Sequence, residues 1–88
     1  MDSFKVQFKP AVRKDFRRIP QKILSRILES IEGLTKNPFP VQAIKVAGSD
    51  RLYRIRVSDY RIIYEVETET GEIMVHYVRH RREVYRSL

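Results

Sequence analysis

Residues Leu52–Val66 read LYRIRVSDYRIIYEV. Branched and aromatic residues alternate with other types on either side of Ser58-Asp59, which predicts two strands joined as a β-hairpin. A two-residue turn at Ser58-Asp59 sets Val57 opposite Tyr60, Arg56 opposite Arg61, Ile55 opposite Ile62 and Arg54 opposite Ile63. The pleat then gathers Tyr53, Ile55, Val57, Tyr60, Ile62 and Tyr64 on one side, and Arg54, Arg56 and Arg61 on the other. The first side suits a core. The second crowds guanidiniums, and like charges facing one another oppose pairing by on the order of a few tenths of a kcal/mol. A patch of phosphates removes that cost and adds charge-assisted hydrogen bonds. Ser-Asp lacks the positive-φ preference of Asn-Gly, so a longer turn remains open at this level. The alternation within each strand holds either way.

Upstream, Phe4, Val6 and Phe8 alternate with Lys5, Gln7 and Lys9, the pattern of a strand with one buried face. Pro10 can open a helix, where its missing N–H costs nothing. Val12, Phe16 and Ile19 then keep helical spacing, with Arg13, Lys14, Arg17 and Arg18 outward. Pro20 interrupts that helix. From Gln21 to Leu34, Ile23, Leu24, Ile27, Leu28, Ile31 and Leu34 trace one apolar stripe, the strongest helix signal in the chain. Asn37-Pro38 and Pro40 end it.

Ala43–Val46 reads as a short strand, Gly48-Ser49-Asp50 as a turn, and Ile73–Val78 as a last strand after the connection ETETGE. Straight alternation along that strand sets Val75, Tyr77 and Arg79 on one side and His76, Val78 and His80 on the other. The tail RHRREVYRSL is basic and forms either a short helix or an irregular segment. The fold class is therefore α+β: an N-terminal strand, then two helices packed on one face of a small, mainly antiparallel sheet. The order is β-α-α-β-β-β with room for one extra short strand.

Eighty-eight residues point to a single domain over 1–88. No apolar run approaches the ~20 residues that span a bilayer, no signal peptide is apparent, and cysteine is absent. The expectation is a cytoplasmic protein without a membrane partner. Eighteen Lys and Arg against eleven Asp and Glu give a net charge of +7, which favours polyanionic partners. The charges are also segregated. Arg51, Arg54, Arg56 and Arg61 form one group and Arg79, Arg81, Arg82 and Arg86 another, while Glu65, Glu67, Glu69 and Glu72 gather between them.

The chemistry this composition supports is narrow. Two histidines without cysteine do not make a structural zinc set, and the spacing of His76 and His80 brings them together only in a helix, where the alternation says strand. No glycine-rich phosphate loop is present, and no cofactor is expected. His76 reads as a packing or surface residue, Glu65 as solvated, and His80 as a residue that either touches substrate or tunes a neighbour. Tyr85 is either a packing anchor or a ring that stacks on a base. Arginines stabilise a phosphorane formed by attack of a ribose 2′-OH on the adjacent phosphorus, but they are poor general bases.

At this point LYRIRVSDYRIIYEV together with VRHRREVY, and the opening FKVQFKPAVRKDFRRIP, resembles the RelE branch of the RelE/ParE toxin superfamily over nearly the whole chain. The resemblance implies a compact sheet packed by two N-terminal helices. It also implies a ribosome-dependent, metal-independent endoribonuclease that cleaves translated mRNA in the A site and leaves a 2′,3′-cyclic phosphate. The implied partners are the ribosome, mRNA and a RelB-like antitoxin in a hetero-oligomeric complex. Arg54 and Arg56 match two basic residues that are commonly lysines in the family, and they would position the RNA backbone. Arg61 and Arg79, with Arg81 the alternative to Arg79, would hold the phosphate and the developing charge. Tyr85 matches the base-stacking tyrosine, and Arg51, His80, Arg81 and Arg82 would flank the substrate. Arginine in place of lysine keeps the charge but removes the more tunable amine, so the stretch holds no evident base. Two other readings stand beside this one: a ParE-like poison of DNA gyrase, and a catalytically weak or inactive module that binds nucleic acid or antitoxin.

Overall fold

The structure, a computed structural model, describes residues 3–82. Strand β1 (Lys5–Phe8) leads into helices α1 (Ala11–Arg17) and α2 (Gln21–Leu34). Strands β2 (Ile44–Lys45), β3 (Leu52–Val57), β4 (Tyr60–Glu67) and β5 (Glu72–His80) follow. The sheet order is β1-β5-β4-β3-β2. β1 runs parallel to β5, and every other pair is antiparallel. The expected α+β arrangement is present, and the extra short strand exists as the two-residue β2. Arg81 and Arg82 begin a helical turn after β5. Tyr85 and Arg86 lie outside the described residues.

The two prolines punctuate the helices. Pro10 and Pro20 precede α1 and α2 as their N-terminal caps, each where the backbone N–H would have no helical partner. Of the long apolar stripe on α2, Ile27, Ile31 and Leu34 are buried, while Leu28 at its margin is 43% exposed. Val12 of α1 and Ile19 of the α1–α2 connection join them over the inward face of the sheet, against Ile55, Val57, Ile62, Tyr64, Val66, Ile73, Val75 and Val78.

The hairpin register is Val57↔Tyr60, Arg56↔Arg61, Ile55↔Ile62 and Arg54↔Ile63, as a two-residue turn at Ser58-Asp59 predicts. Its turn is the tight one. Ser58 carries the positive φ, 55°, that a two-residue hairpin needs at its first turn position, and Asp59 does not. The β4–β5 turn meets the same demand with Gly71 at φ 72°.

Strand β5 departs from simple alternation. Tyr64 pairs with Val75 but Ile63 pairs with Tyr77, so His76 is an extra residue in a β-bulge. Below the bulge Ile73 and Val75 face the core; above it Val78 does. The expectation that Val75 shares a side with Tyr77 and Arg79 is therefore corrected. Tyr77 and Arg79 lie on the outward face, and Val75 on the inward one. Without this one-residue insertion the strand could not bury both Val75 and Val78 and still present Arg79 beside Arg61.

Tyr64 ties the centre of the sheet to the loop after α2. Its ring is fully buried, and its hydroxyl donates to the Pro38 carbonyl at 2.8 Å. Burial first, and neighbouring Tyr53 second, push the Tyr64 phenol well above the ordinary tyrosine range. The neutral phenol is thus favoured in the folded state. Its contribution is fully present below the unfolded value of about 10 and is lost as pH rises above it towards the folded value. Tyr64→Phe should cost ~1–3 kcal/mol at neutral pH by orphaning the Pro38 carbonyl. It should also flatten the decline of the urea midpoint above roughly pH 10. An unchanged pH slope would mean that another group drives alkaline unfolding.

Candidate functional site

The outward face of the sheet carries a row of arginines. Arg56↔Arg61 and Arg61↔Arg79 are direct cross-strand partners, and Arg54 lies two residues before Arg56 on the same face. With strands ~4.8 Å apart, the backbone of the Arg56–Arg61–Arg79 row spans only about 10 Å. Ile63, 7% exposed, lies on this face between Arg54 and Tyr77 and gives it an apolar floor. Arg54, Arg56 and Arg61, with Gln42 and Ile44, line a recess of about 170 Å³.

Local contacts hold two of these side chains. Arg56 Nε donates to the Ser58 carbonyl at 3.0 Å, and its Nη2 lies 3.8 Å from Asp59 Oδ1. The turn that sets the register thus also restrains the first arginine of the row. Arg79 rests with its guanidinium carbon 4.6 Å from the Tyr77 ring centroid, and its Nε is 3.7 Å from Asp15 Oδ1. A cation over an aromatic face and beside a carboxylate loses orientational freedom while keeping its charge. The start of the tail is fastened to the same turn, because the Arg81 N–H donates to the Asp59 carbonyl at 2.7 Å. Arg81 and Arg82, both exposed, therefore begin next to the hairpin tip.

The other expected site residues are placed differently. His80 pairs with Tyr60 on the inward side of the sheet and meets its ring edge-on at 5.3 Å. Its Nδ1 accepts the Arg82 N–H at 3.3 Å, which leaves Nε2 as the protonated nitrogen of a neutral ring. It neighbours the arginine row across the edge of the strand rather than standing in it. Arg51 lies at the far end of β3, about 17 Å of strand from Arg56, and pairs with Glu67 at 2.7 Å. The fold does not bring Arg51 to the arginine row. Tyr85 falls outside the described residues.

Glutamates gather at that far end. Glu67 and Glu72 are cross-strand partners, and Glu65 Oε1 accepts from His76 Nε2 at 2.9 Å. Glu65 is opposite Leu52 as expected, but it is engaged by the bulge residue rather than solvated alone. The hairpin-turn end of this face is thus arginine-rich, while at the other end the glutamates are interspersed with Arg51, Lys5 and Lys9.

Sequence reasoning missed Asp15. It is the one buried charged residue among those described, with 9% exposure. A signal was present, since Asp15 falls at i+3 from Val12 and i−4 from Ile19, on the apolar stripe of α1. The His76–Glu65 pair was missed because the sequence alone does not set the β4–β5 register.

A small α+β domain with an arginine row on the outward face of its sheet is suited to anions, and comparison with known proteins places the fold. The model of the ParE toxin family of type II toxin–antitoxin systems matches residues 6–85. Toxin RelE3 of Methanocaldococcus jannaschii is 35% identical over 85 residues, covering 92% of this chain and 94% of that protein. The RelE–RelB complex of Pyrococcus horikoshii contains a chain that superposes with a TM-score of 0.80 at 30% identity, covering 90% of this chain and 96% of that one. A chain of the RelB–RelE complex of Methanococcus jannaschii gives 0.77 at 31% identity, over 92% and 96%. The chain belongs to the RelE/ParE toxin family and is a RelE-like toxin of a type II toxin–antitoxin system.

Proposed function

We propose that this toxin is a ribosome-dependent endoribonuclease that cuts translated mRNA in the A site. The observation that carries the reading is the row Arg56↔Arg61↔Arg79, with Arg54 behind it, on the outward face of the sheet. In the reaction the ribose 2′-oxygen attacks the adjacent phosphorus, and the bond to the 5′-oxygen breaks. The products are a 2′,3′-cyclic phosphate and a free 5′-hydroxyl. Charge on the non-bridging oxygens rises on the way to the phosphorane, and donors already held in place gain most where charge develops. Arg61, at the centre of the row, and Arg79 are assigned to those oxygens, with Arg79 also towards the leaving 5′-oxygen. Arg54 and Arg56 position the RNA backbone, Arg81 and Arg82 extend the phosphate contacts, and Tyr85 stacks on a base. A guanidinium does not act as a base at neutral pH. The proton of the 2′-OH therefore leaves to a group outside the row, such as water or the ribosome, and the leaving 5′-oxygen takes a proton from the same source.

Relatives of this fold were solved as complexes of RelE with RelB. By analogy the cognate partner here is a RelB-like antitoxin that forms a hetero-oligomer and covers the basic face. The test is primer extension on mRNA from an in vitro translation reaction. New 5′ ends within the translated frame should appear on adding the toxin and vanish when ribosomes are withheld. Pure, folded protein that leaves mRNA intact overturns the enzyme reading. Cleaved-DNA complexes in a gyrase supercoiling assay would point instead to a gyrase poison.

A further inference from the structure

We infer that Asp15 is a positioning residue for Arg79: from helix α1 it fixes the guanidinium so that the remaining donors point at the anion. The inference deepens the proposed endoribonuclease function and rests on it for the identity of that anion. Three features of the structure carry it.

The first is where Asp15 sits. β1 pairs with β5 only as far as Phe8↔Val75, so the edge of β5 above that point has no strand beside it. Asp15 fills the gap, and its Oδ2 accepts the Val78 N–H at 3.0 Å. That contact fixes the carboxylate through a buried bond to the backbone one residue before Arg79. The second is how the carboxylate is divided. With Oδ2 committed to Val78, Oδ1 is turned towards Arg79 Nε at 3.7 Å, an ion-pair separation longer than a direct hydrogen bond. The third is the Tyr77 ring, which meets the guanidinium on its face at 4.6 Å.

Together these contacts restrain the group from its Nε edge and from one face. A guanidinium has five N–H donors. With Asp15 on the Nε side, the four N–H groups on Nη1 and Nη2 are the edge left to grip a phosphate in bidentate fashion. The strand cap and the arginine brace are thus one residue with two oxygens. The cap also explains why an acid can be buried on the apolar stripe of α1, since a buried carboxylate must find hydrogen-bond donors.

Asp15→Asn separates the two roles. Asparagine keeps an oxygen to accept from Val78, so the edge stays capped, but it removes the charge that holds Arg79. Simple electrostatics predicts the opposite of positioning here, because deleting an acid beside a basic site should tighten anion binding. Loss of binding is therefore a readout that neither a strand cap nor bulk charge produces.

The experiment titrates inorganic phosphate into wild type, Asp15→Asn, Arg79→Ala and the double variant, following the Arg79 Nε–Hε resonance by NMR where present. The same four proteins are assayed for translation-coupled mRNA cleavage, with urea unfolding as the fold control. Asp15→Asn should weaken phosphate binding and slow cleavage, the latter by up to ~10²-fold, the scale of a reacting group misplaced by about 1 Å. It should also shift the Arg79 Nε–Hε signal, and the double variant should behave like Arg79→Ala alone. Unchanged or tighter phosphate binding in folded Asp15→Asn overturns the inference, as does a double variant whose loss is the product of the two single losses. If Asp15→Asn is unfolded, Asp15 is a strand cap first and the inference falls. If wild type leaves mRNA intact, the endoribonuclease reading fails alone, and the phosphate titration still decides the role of Asp15.

Discussion

Arg61→Ala should slow translation-coupled mRNA cleavage by ~10²–10³-fold, the scale of removing one preorganised donor from a developing oxyanion. Stability should stay within about 1 kcal/mol of wild type, as for surface changes away from the core. Arg61 occupies the centre of the row, with Arg56 and Arg79 as its cross-strand partners, so its loss divides the row rather than trimming an end. Removing the middle of three like charges also relieves repulsion across β3, β4 and β5, which offsets the packing lost with the side-chain stem. Single-turnover cleavage on programmed ribosomes, read by primer extension, checks the first half, and urea unfolding checks the second. Wild-type cleavage by the variant would remove Arg61 from the chemistry. A large fall in the urea midpoint would make it a structural residue instead.

The hairpin was legible because its two faces differ in kind. Period-two alternation from Leu52 to Val66 fixes which residues are inward whatever the turn does, and the Ser58-Asp59 turn then proved tight enough to give the register as well. The helices followed from the apolar stripes, and the family resemblance followed from the arginines themselves. Alternation failed at His76, where one inserted residue reverses the parity of β5 and carries Arg79 to the arginine face. A bulge leaves little trace in a single sequence, since HYVRH reads equally well as unbroken strand. Asp15 was hidden for a different reason. An acid on a helix of basic character looks like surface charge until the end of β1 leaves the Val78 N–H in need of an acceptor. Arg51 shows the converse error, for adjacency in sequence grouped it with the other arginines while the length of β3 carries it to the end that holds the glutamates.

Ile62→Ala, one residue along from Arg61, should do the reverse of Arg61→Ala. Ile62 is fully buried on the inward face of β4 and pairs with Ile55 on one side and Val78 on the other. Truncation there removes three buried carbons at the junction of three core strands, where close packing leaves little room for collapse. The cost should be ~2–5 kcal/mol, against a total of about 5–15 kcal/mol for a domain. For a chain of this length each kcal/mol lowers the melting midpoint by about 4–8 °C, so the variant should melt some tens of degrees lower in the severe case and ~10 °C lower in the mild one. Urea titration should find a lower midpoint with an unchanged slope, because the surface exposed on unfolding is nearly the same. Well below its new midpoint the variant should still cut mRNA within a few-fold of wild type, since the arginine row projects from the opposite face of the same strands. A midpoint shift of less than about 1 kcal/mol would mean that Ile62 is not the keystone its burial implies. Lost cleavage in the folded variant would mean that the two faces of β4 are mechanically coupled, and that the site depends on the core for more than its placement.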